Sequence, residues 1–167
     1  GNTWSEAKLL TDQNSFPAKQ KKDFAHFANQ RPFLFNFNNS VYMAWERMEN
    51  TAAEIWVAEL SKEGLIPKSS FVLADSANSN RPIFFEYNNK LFLSWFDTRT
   101  SRESLYMAEQ TGLSWETHTL VENANSNMFG YPLIINDSNY VPHLSFVWQQ
   151  GKQNKNNIAI LQPDKTV

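Results

Sequence analysis

Short hydrophobic runs separated by polar turns recur along this chain. Aromatic and β-branched residues are frequent in residues 32–37 and 40–45, and two asparagines lie between these runs. Such runs on either side of a two-residue asparagine turn predict a β-hairpin. Residues 53–60 predict a third strand and residues 68–75 a fourth. Because no 3.6-residue periodicity typical of helices is present, the pattern predicts an all-β protein.

The same pattern recurs fifty residues later without a gap. Residues 31–60 align with residues 81–110, and a fourth strand follows again at 114–122. The alternative is a β-sandwich in which the similarity is accidental, but a gapless match of this length favours a true repeat. The aligned positions include Arg31 with Arg81, Pro32 with Pro82, Asn38-Asn39 with Asn88-Asn89, Trp45 with Trp95, and Trp56 with Tyr106.

A third copy of the repeat starts at Tyr131 and needs about three extra residues in its first turn. Trp148 then takes the place of Trp45, and Ile158 that of Ile55. This copy stops after its third strand, near residue 161. We expect one domain over residues 1–167, with blades that start near 31, 81 and 131. At the other end of the chain, residues 3–12 match 114–123 and predict a fourth strand without the first three, so strand 3–12 would complete the blade begun at 131–162.

Four antiparallel strands in a unit of about 50 residues are typical of a β-propeller blade. Three blades per chain are fewer than the roughly four to eight of closed propellers. Two chains placed head to tail would give six blades, with strand 3–12 of each chain finishing the third blade of its partner. The sequence therefore predicts a homodimer that completes the ring. The alternative is that the chain is half of a longer single-chain propeller.

Residues 95–117 resemble the blades of sialidase-like propellers with BNR repeats. The resemblance is carried by a W-x-D-x-R pattern, a following Leu-Tyr strand, and a Gly-Leu-Ser-Trp turn similar to the tail of an Asp box. The complete Asp box is missing ahead of this turn. The resemblance implies a propeller fold and an extracytoplasmic location. The matching residues are Trp95, Asp97, Arg99, Leu105, Tyr106 and Gly112–Trp115.

One face of the predicted disc gathers the candidate binding residues. The beginning of each innermost strand and the turn between the second and third strands lie on this face. The long linker 12–30 opens there too, and binding residues are concentrated in such loops. Guanidinium groups around a channel suit carboxylate or phosphate oxygens, and the sialidase resemblance implies an arginine cluster that grips a carboxylate. The candidate ligand-binding residues are Arg31, Arg81, Tyr131, Glu46, Arg47, Asp97, Arg99 and His26.

A structural interpretation of the same residues stays open. Residues that recur in successive blades commonly support the blade, so both arginines could pair with acids of a neighbouring unit, such as Glu46 or Asp97. Asp97 and Arg99 have the spacing of an ion pair that braces a turn. The recurring tryptophans predict core positions between blades; these are Trp45, Trp95 and Trp148.

Composition narrows the function classes. A net charge of −2 gives no electrostatic case for nucleic-acid binding. The sequence contains no apolar run of membrane-spanning length and no cysteine, and its three histidines lack metal-ligand spacing. We find no catalytic motif, metal site or cofactor fingerprint. The sequence favours a non-catalytic binding or sensor module for an anionic or carbohydrate-like ligand. A sialidase-type glycoside hydrolase and a protein-interaction scaffold without a small-molecule site are the alternatives.

Overall fold

The computed structural model describes twelve β-strands, and no residue that it describes is helical. The described residues are 6–7, 10, 27–49, 52–62, 64–65, 71–74, 78–99, 103–121, 133–136, 139, 142–149 and 156–161. The strands are β1 Phe27–Phe37, β2 Ser40–Glu49, β3 Ala52–Ser61, β4 Gly64–Leu65, β5 Phe71–Ala74, β6 Ser79–Tyr87, β7 Lys90–Asp97, β8 Ser104–Thr111, β9 Ser114–Val121, β10 Leu133–Asn136, β11 Pro142–Gln149 and β12 Asn156–Leu161.

These strands form three antiparallel sheets, each of which follows the order of the chain. The first sheet runs β1-β2-β3-β4, and β5 also pairs with β3. The second runs β6-β7-β8-β9, and the third runs β10-β11-β12. The predicted all-β class and the predicted hairpins are confirmed. Of the fourth strand predicted over 68–75, residues 71–74 form β5, which pairs with β3 as β4 also does, and the other residues of that range lie outside the described part.

The asparagine pairs set the first hairpin of each of the first two sheets. Asn38 and Asn39 both have positive φ, and so do Asn88 and Asn89. Two consecutive left-handed residues form a type I′ turn, whose twist matches that of the flanking strands. In the third sheet, five residues separate Asn136 from its partner at 142, against the two between Phe37 and Ser40. The turn of the third sheet is thus longer, but the predicted alignment is wrong by two residues: with Tyr131 over Arg31 and Trp148 over Trp45, Leu133 would pair with residue 147, as Phe33 pairs with Ala44, whereas it pairs with Ser145.

The first two sheets pack face to face around one apolar core. From the first sheet this core takes alternate residues of β2 and β3, including Ala44, Ile55 and Val57. From the second sheet it takes residues of β6, β7 and β8, with Phe84 in contact with aromatic rings of β1 and β2. Trp45 and Trp95 are both fully buried, but the predicted position between two sheets is confirmed for Trp95, which belongs to this core, and not for Trp45. The side chain of Trp148 lies outside the described residues.

Further apolar clusters lie on the outer faces of these two sheets. In the first sheet, Trp45 packs with Trp56 and Met43, and Leu10 lies against this cluster. In the second sheet, the stacked rings of Phe85 and Phe92 form a cluster on the face that is turned away from the first sheet. Strand β6 contacts the first sheet and also strand β11. The second sheet is thus the middle one of the three.

Two details of the terminal predictions can be compared with the structure. Of the predicted strand 3–12, the structure describes only residues 6, 7 and 10, and these are not in a strand; the other residues lie outside the described part. Its pairing with a second chain stays a prediction.

The equivalence of Ile158 with Ile55 is wrong: Ile158 pairs with Val147, as Val57 pairs with Ala44. The connection between β11 and β12 is two residues shorter than assumed.

Candidate functional site

Both candidate arginines lie in β-bulges at the beginning of an inner strand. The pairing of β1 with β2 shifts between Gln30 and Phe33, and that of β6 with β7 shifts between Asn80 and Ile83. Arg31 has φ 51° and Arg81 has φ 57°. A left-handed conformation costs a non-glycine residue about 1–2 kcal/mol, and a bulge re-aims a side chain out of the regular pleat. The same strained geometry therefore occurs at equivalent positions of two sheets.

Glu46 holds the first bulge in place. Its side chain is fully buried on β2, opposite Gln30 in the register. Its Oε2 atom accepts a hydrogen bond from Nη1 of Arg31 at 2.5 Å and another from Nε2 of Gln30 at 2.9 Å. The Arg31 side chain remains 44% exposed. One edge of its guanidinium is thus fixed by a buried carboxylate while much of the side chain stays accessible to solvent.

The second oxygen of Glu46 reaches across to the neighbouring sheet. Its Oε1 atom accepts a hydrogen bond of 2.7 Å from the backbone N–H of Arg81. This bond ends at the bulge itself, so it stabilises the left-handed backbone of Arg81. The two oxygens of one carboxylate therefore join the bulge of β1 to the bulge of β6. This arrangement brings Arg31, Glu46 and Arg81 together, as the predicted disc face requires.

A separate carboxylate, Asp97, stands at the same end of the second sheet. Oδ2 of Asp97 accepts bonds from Nε and Nη2 of Arg99, from the hydroxyl of Ser79 and from the indole of Trp95, while Oδ1 accepts one from the backbone N–H of Arg99. Burial by itself would raise the pKa of Asp97. The hydrogen bonds from Arg99, Ser79 and Trp95 outweigh this, and the pKa lies below its ordinary value. The ion pair predicted to brace this turn is confirmed, with its carboxylate buried.

Each of the first two sheets also places a guanidinium over an aromatic ring. Arg47 lies 4.9 Å from the ring centre of Trp56, and Arg99 lies 4.4 Å from that of Tyr106. Trp56 and Tyr106 are equivalent in the repeat, but the two arginines are not, because Arg47 aligns with Asp97. Contacts of this kind contribute about 0.5–2 kcal/mol. Both arginines are thus engaged with the sheets themselves.

The structure places six of the eight predicted residues at one end of the first two sheets, and His26 and Tyr131 lie outside the described residues. The sequence analysis missed Gln30 and Ser79, which bind the two carboxylates. A signal was available, since each stands one or two positions before the repeated arginine.

No group of three His, Asp or Glu side chains with metal-binding geometry occurs in the described ranges. Nor do these ranges contain a helix that could cross a bilayer.

Comparison with known proteins identifies a structural likeness without a sequence family. No family model matches the chain, and no curated protein does. The fold is similar to that of an endo-arabinase from Bacteroides thetaiotaomicron, with a TM-score of 0.53 and 15% sequence identity. The match covers 80% of this chain and 55% of that one, so the chain spans about half the length of its structural neighbour. The likeness concerns the fold: antiparallel sheets arranged as in a propeller, with the narrower resemblance to sialidase-like BNR repeats remaining a prediction.

Proposed function

We propose that this chain is a non-catalytic propeller module that binds an anionic or carbohydrate-like ligand where strands β1 and β6 begin. The observation that carries the proposal is the pair of left-handed bulges at Arg31 and Arg81, joined by one buried carboxylate. Strained backbone persists only where its surroundings enforce it, and it is concentrated at binding and active sites. Here the enforcing contact is Glu46.

Arg31 is the principal ligand-binding residue in this proposal. Glu46 contacts its Nη1 atom and leaves 44% of the side chain exposed. A guanidinium has five N–H donors in a planar fork, which matches the two oxygens of a carboxylate or phosphate. Because a buried partner already orients this fork, little side-chain entropy remains to be lost when a ligand binds.

Arg81 supplies the second half of the proposed site. Its backbone N–H lies on the same carboxylate that holds the Arg31 side chain, so the two residues begin from adjacent points of neighbouring sheets. Asp97 and Arg99 brace the end of β7 beside them, and Tyr131 and His26 are the proposed contributors from outside the described residues. A ligand between the two bulges would contact both sheets.

A carbohydrate-like ligand is favoured over a simple anion by the structural comparison. The neighbour with the similar fold is an endo-arabinase. Fold similarity at this identity does not transfer an activity, but it does favour glycans among the ligands to be tested first. Sugar acids combine the two chemistries, since they present a carboxylate together with ring hydroxyls. In this proposal the module acts outside the cytoplasm, where such glycans occur.

The proposal is tested by calorimetric titration of the chain with N-acetylneuraminic acid, galacturonic acid, inorganic phosphate and arabino-oligosaccharides. We expect at least one of these probes to bind, and Arg31→Lys to weaken that binding about tenfold, because lysine keeps the charge but loses the planar fork. Arg31→Ala should weaken it further. Arg31→Lys keeps a positive charge beside the buried Glu46 carboxylate and should remain folded, and circular dichroism checks the folding of Arg31→Ala, which removes that charge.

The matched control is Lys90→Ala, which removes one positive charge at the opposite end of β7. Lys90 forms an exposed ion pair with Glu109 and should leave ligand binding unchanged. Binding by none of the probes would contradict the proposal, and so would equal binding by wild type and Arg31→Ala. Either result would favour the alternative of a scaffold without a small-molecule site.

The second candidate function is glycoside hydrolysis, which the likeness to an endo-arabinase favours. Glycosidases use a pair of carboxylic acids. Glu46 and Asp97 are two buried carboxylates near the proposed ligand, but hydrogen bonds from arginines already occupy both. Release of reducing sugar from arabinan or from a sialoside, abolished by Glu46→Gln, would establish this function instead of simple binding.

A further inference from the structure

Equivalent faces of the first two sheets differ sharply in exposure. In the second sheet, Phe84 is 3% exposed and Leu91 is 1% exposed. Their equivalents fifty residues earlier are Leu34, which is 59% exposed, and Val41, which is 39% exposed. Leu34 pairs with Met43 and Val41 pairs with Asn36, so Leu34 and Val41 are diagonal neighbours on one face. We call Leu34 and Val41 the Leu34 face.

The second sheet shows which kind of surface buries the equivalent face. Phe84 and Leu91 belong to the core between the first two sheets, where Phe84 lies about 6 Å from the rings of Phe33, Phe35 and Tyr42. The covering surface is therefore another sheet of the same repeat. Leu10 covers part of the corresponding face of the first sheet, near Met43 and Trp45, and leaves the Leu34 face exposed.

We propose that the Leu34 face docks the third sheet of a second copy of this chain. The repeat provides the template, because the first sheet already packs on the second in this way. The third sheet lies beyond the second, since β6 contacts both β1 and β11. Strand β10 begins with three consecutive apolar residues, Leu133–Ile135.

Two copies of the chain can cover each other's exposed faces. When two copies meet head to tail around a two-fold axis, each third sheet covers the first sheet of the other chain, and the assembly closes. This inference concerns an interface between copies and does not depend on the proposed ligand.

The first experiment measures mass by light scattering. We expect wild type to have twice the monomer mass of 19.3 kDa, and Leu34→Glu with Val41→Lys to have the monomer mass. Leu113→Glu is the matched control, because Leu113 is 90% exposed in the turn between β8 and β9 and is not part of the Leu34 face. It should remain dimeric. All three proteins should give the circular dichroism of a β-sheet protein, since every substituted residue is exposed.

The second experiment uses the absence of cysteine from the chain. Leu34→Cys should react with a maleimide about tenfold more slowly at high than at low protein concentration, because the dimer buries the thiol. Leu113→Cys should react equally fast at both concentrations. A wild type that is monomeric at all concentrations would overturn the proposal. So would a dimer that survives the Leu34-face substitutions, an assembly larger than a dimer, or unchanged reactivity of Leu34→Cys.

Discussion

Two buried carboxylates hold the ends of the first two sheets, and they stand at different positions of the repeat. Glu46 of the first sheet aligns with Phe96 of the second, whereas Asp97 of the second aligns with Arg47 of the first. The partners differ as well. Asp97 accepts hydrogen bonds from the second sheet and from the turn that follows it, while Glu46 accepts bonds from its own sheet and from Arg81 of the next.

This difference separates two structural tasks that the same chemical group performs. Asp97 stabilises a turn within one sheet, and that sheet would keep its brace if it stood alone. Glu46 connects two sheets and fixes the bulges that present both candidate arginines. A residue that braces one sheet and a residue that joins two sheets can therefore look alike in sequence, and the direction of their contacts distinguishes them.

The largest effect is expected for Asp97→Ala. This change removes the acceptor for Arg99, for the Ser79 hydroxyl and for the Trp95 indole, and it leaves buried donors without partners. Loss of one member of a buried ion pair commonly costs about 3–5 kcal/mol, and we expect the lower end because Arg99 can reach solvent. Urea unfolding followed by tryptophan fluorescence measures the loss. Glu109→Ala, which breaks the exposed pair with Lys90, should cost about 0–1 kcal/mol; equal losses would contradict the assignment.

A smaller effect, located between the sheets, is expected for Glu46→Gln. Glu46 accepts bonds on both oxygens, but an amide has only one acceptor oxygen, so its NH₂ group would face either Arg31 or the Arg81 N–H. We expect a loss of about 1–2 kcal/mol in the free energy of unfolding. Amide hydrogen exchange should accelerate at Arg81 in this variant.

The amide of Arg99 provides the internal control for that measurement, because it bonds to Asp97. Its exchange should be unchanged in Glu46→Gln and accelerated in Asp97→Ala. If amide exchange in Glu46→Gln accelerated as much at Arg99 as at Arg81, the two carboxylates would not act separately.

The smallest effect is the expected loss of stability when the solution is acidified. The pKa of Asp97 is lowered in the folded protein from its ordinary value of 3.8. Its contribution to stability is therefore complete above that value and is lost as pH falls through the lowered pKa, because the unfolded chain takes up the proton more readily. In Asp97→Asn, the free energy of unfolding should depend less on pH in this range. Urea midpoints of wild type and variant should converge as the solution is acidified below the ordinary value; a constant difference would contradict the prediction.

The sequence predicted the hairpins well because their signals are local. Two asparagines supply the left-handed pair that a type I′ turn requires, and aromatic residues at fixed spacing mark the strands on either side. The buried positions of Trp45 and Trp95 followed from the same repeat. These features depend on residues within a few positions of one another.

The bulges could not be predicted in the same way. An arginine before a proline carries no local signal for the left-handed region, which glycine and asparagine usually occupy. The conformation of Arg81 is supported by the hydrogen bond that its N–H donates to Glu46, a residue 35 positions away. The structural alternative had the arginines pair with acids of a neighbouring unit, whereas the side chain of Arg31 pairs with Glu46 of its own sheet. Contacts between sheets determine the geometry of the Arg81 bulge, and the sequence does not show which residues meet when the sheets pack.

The same kink in two neighbouring sheets separates the course of the backbone from the identity of the side chain. A duplication that copies the strand copies its kink, although Glu46 of one copy is Phe96 in the other. Replacement of the single side chain at a kink would then change the surface at this end of the sheet while the strand keeps its course.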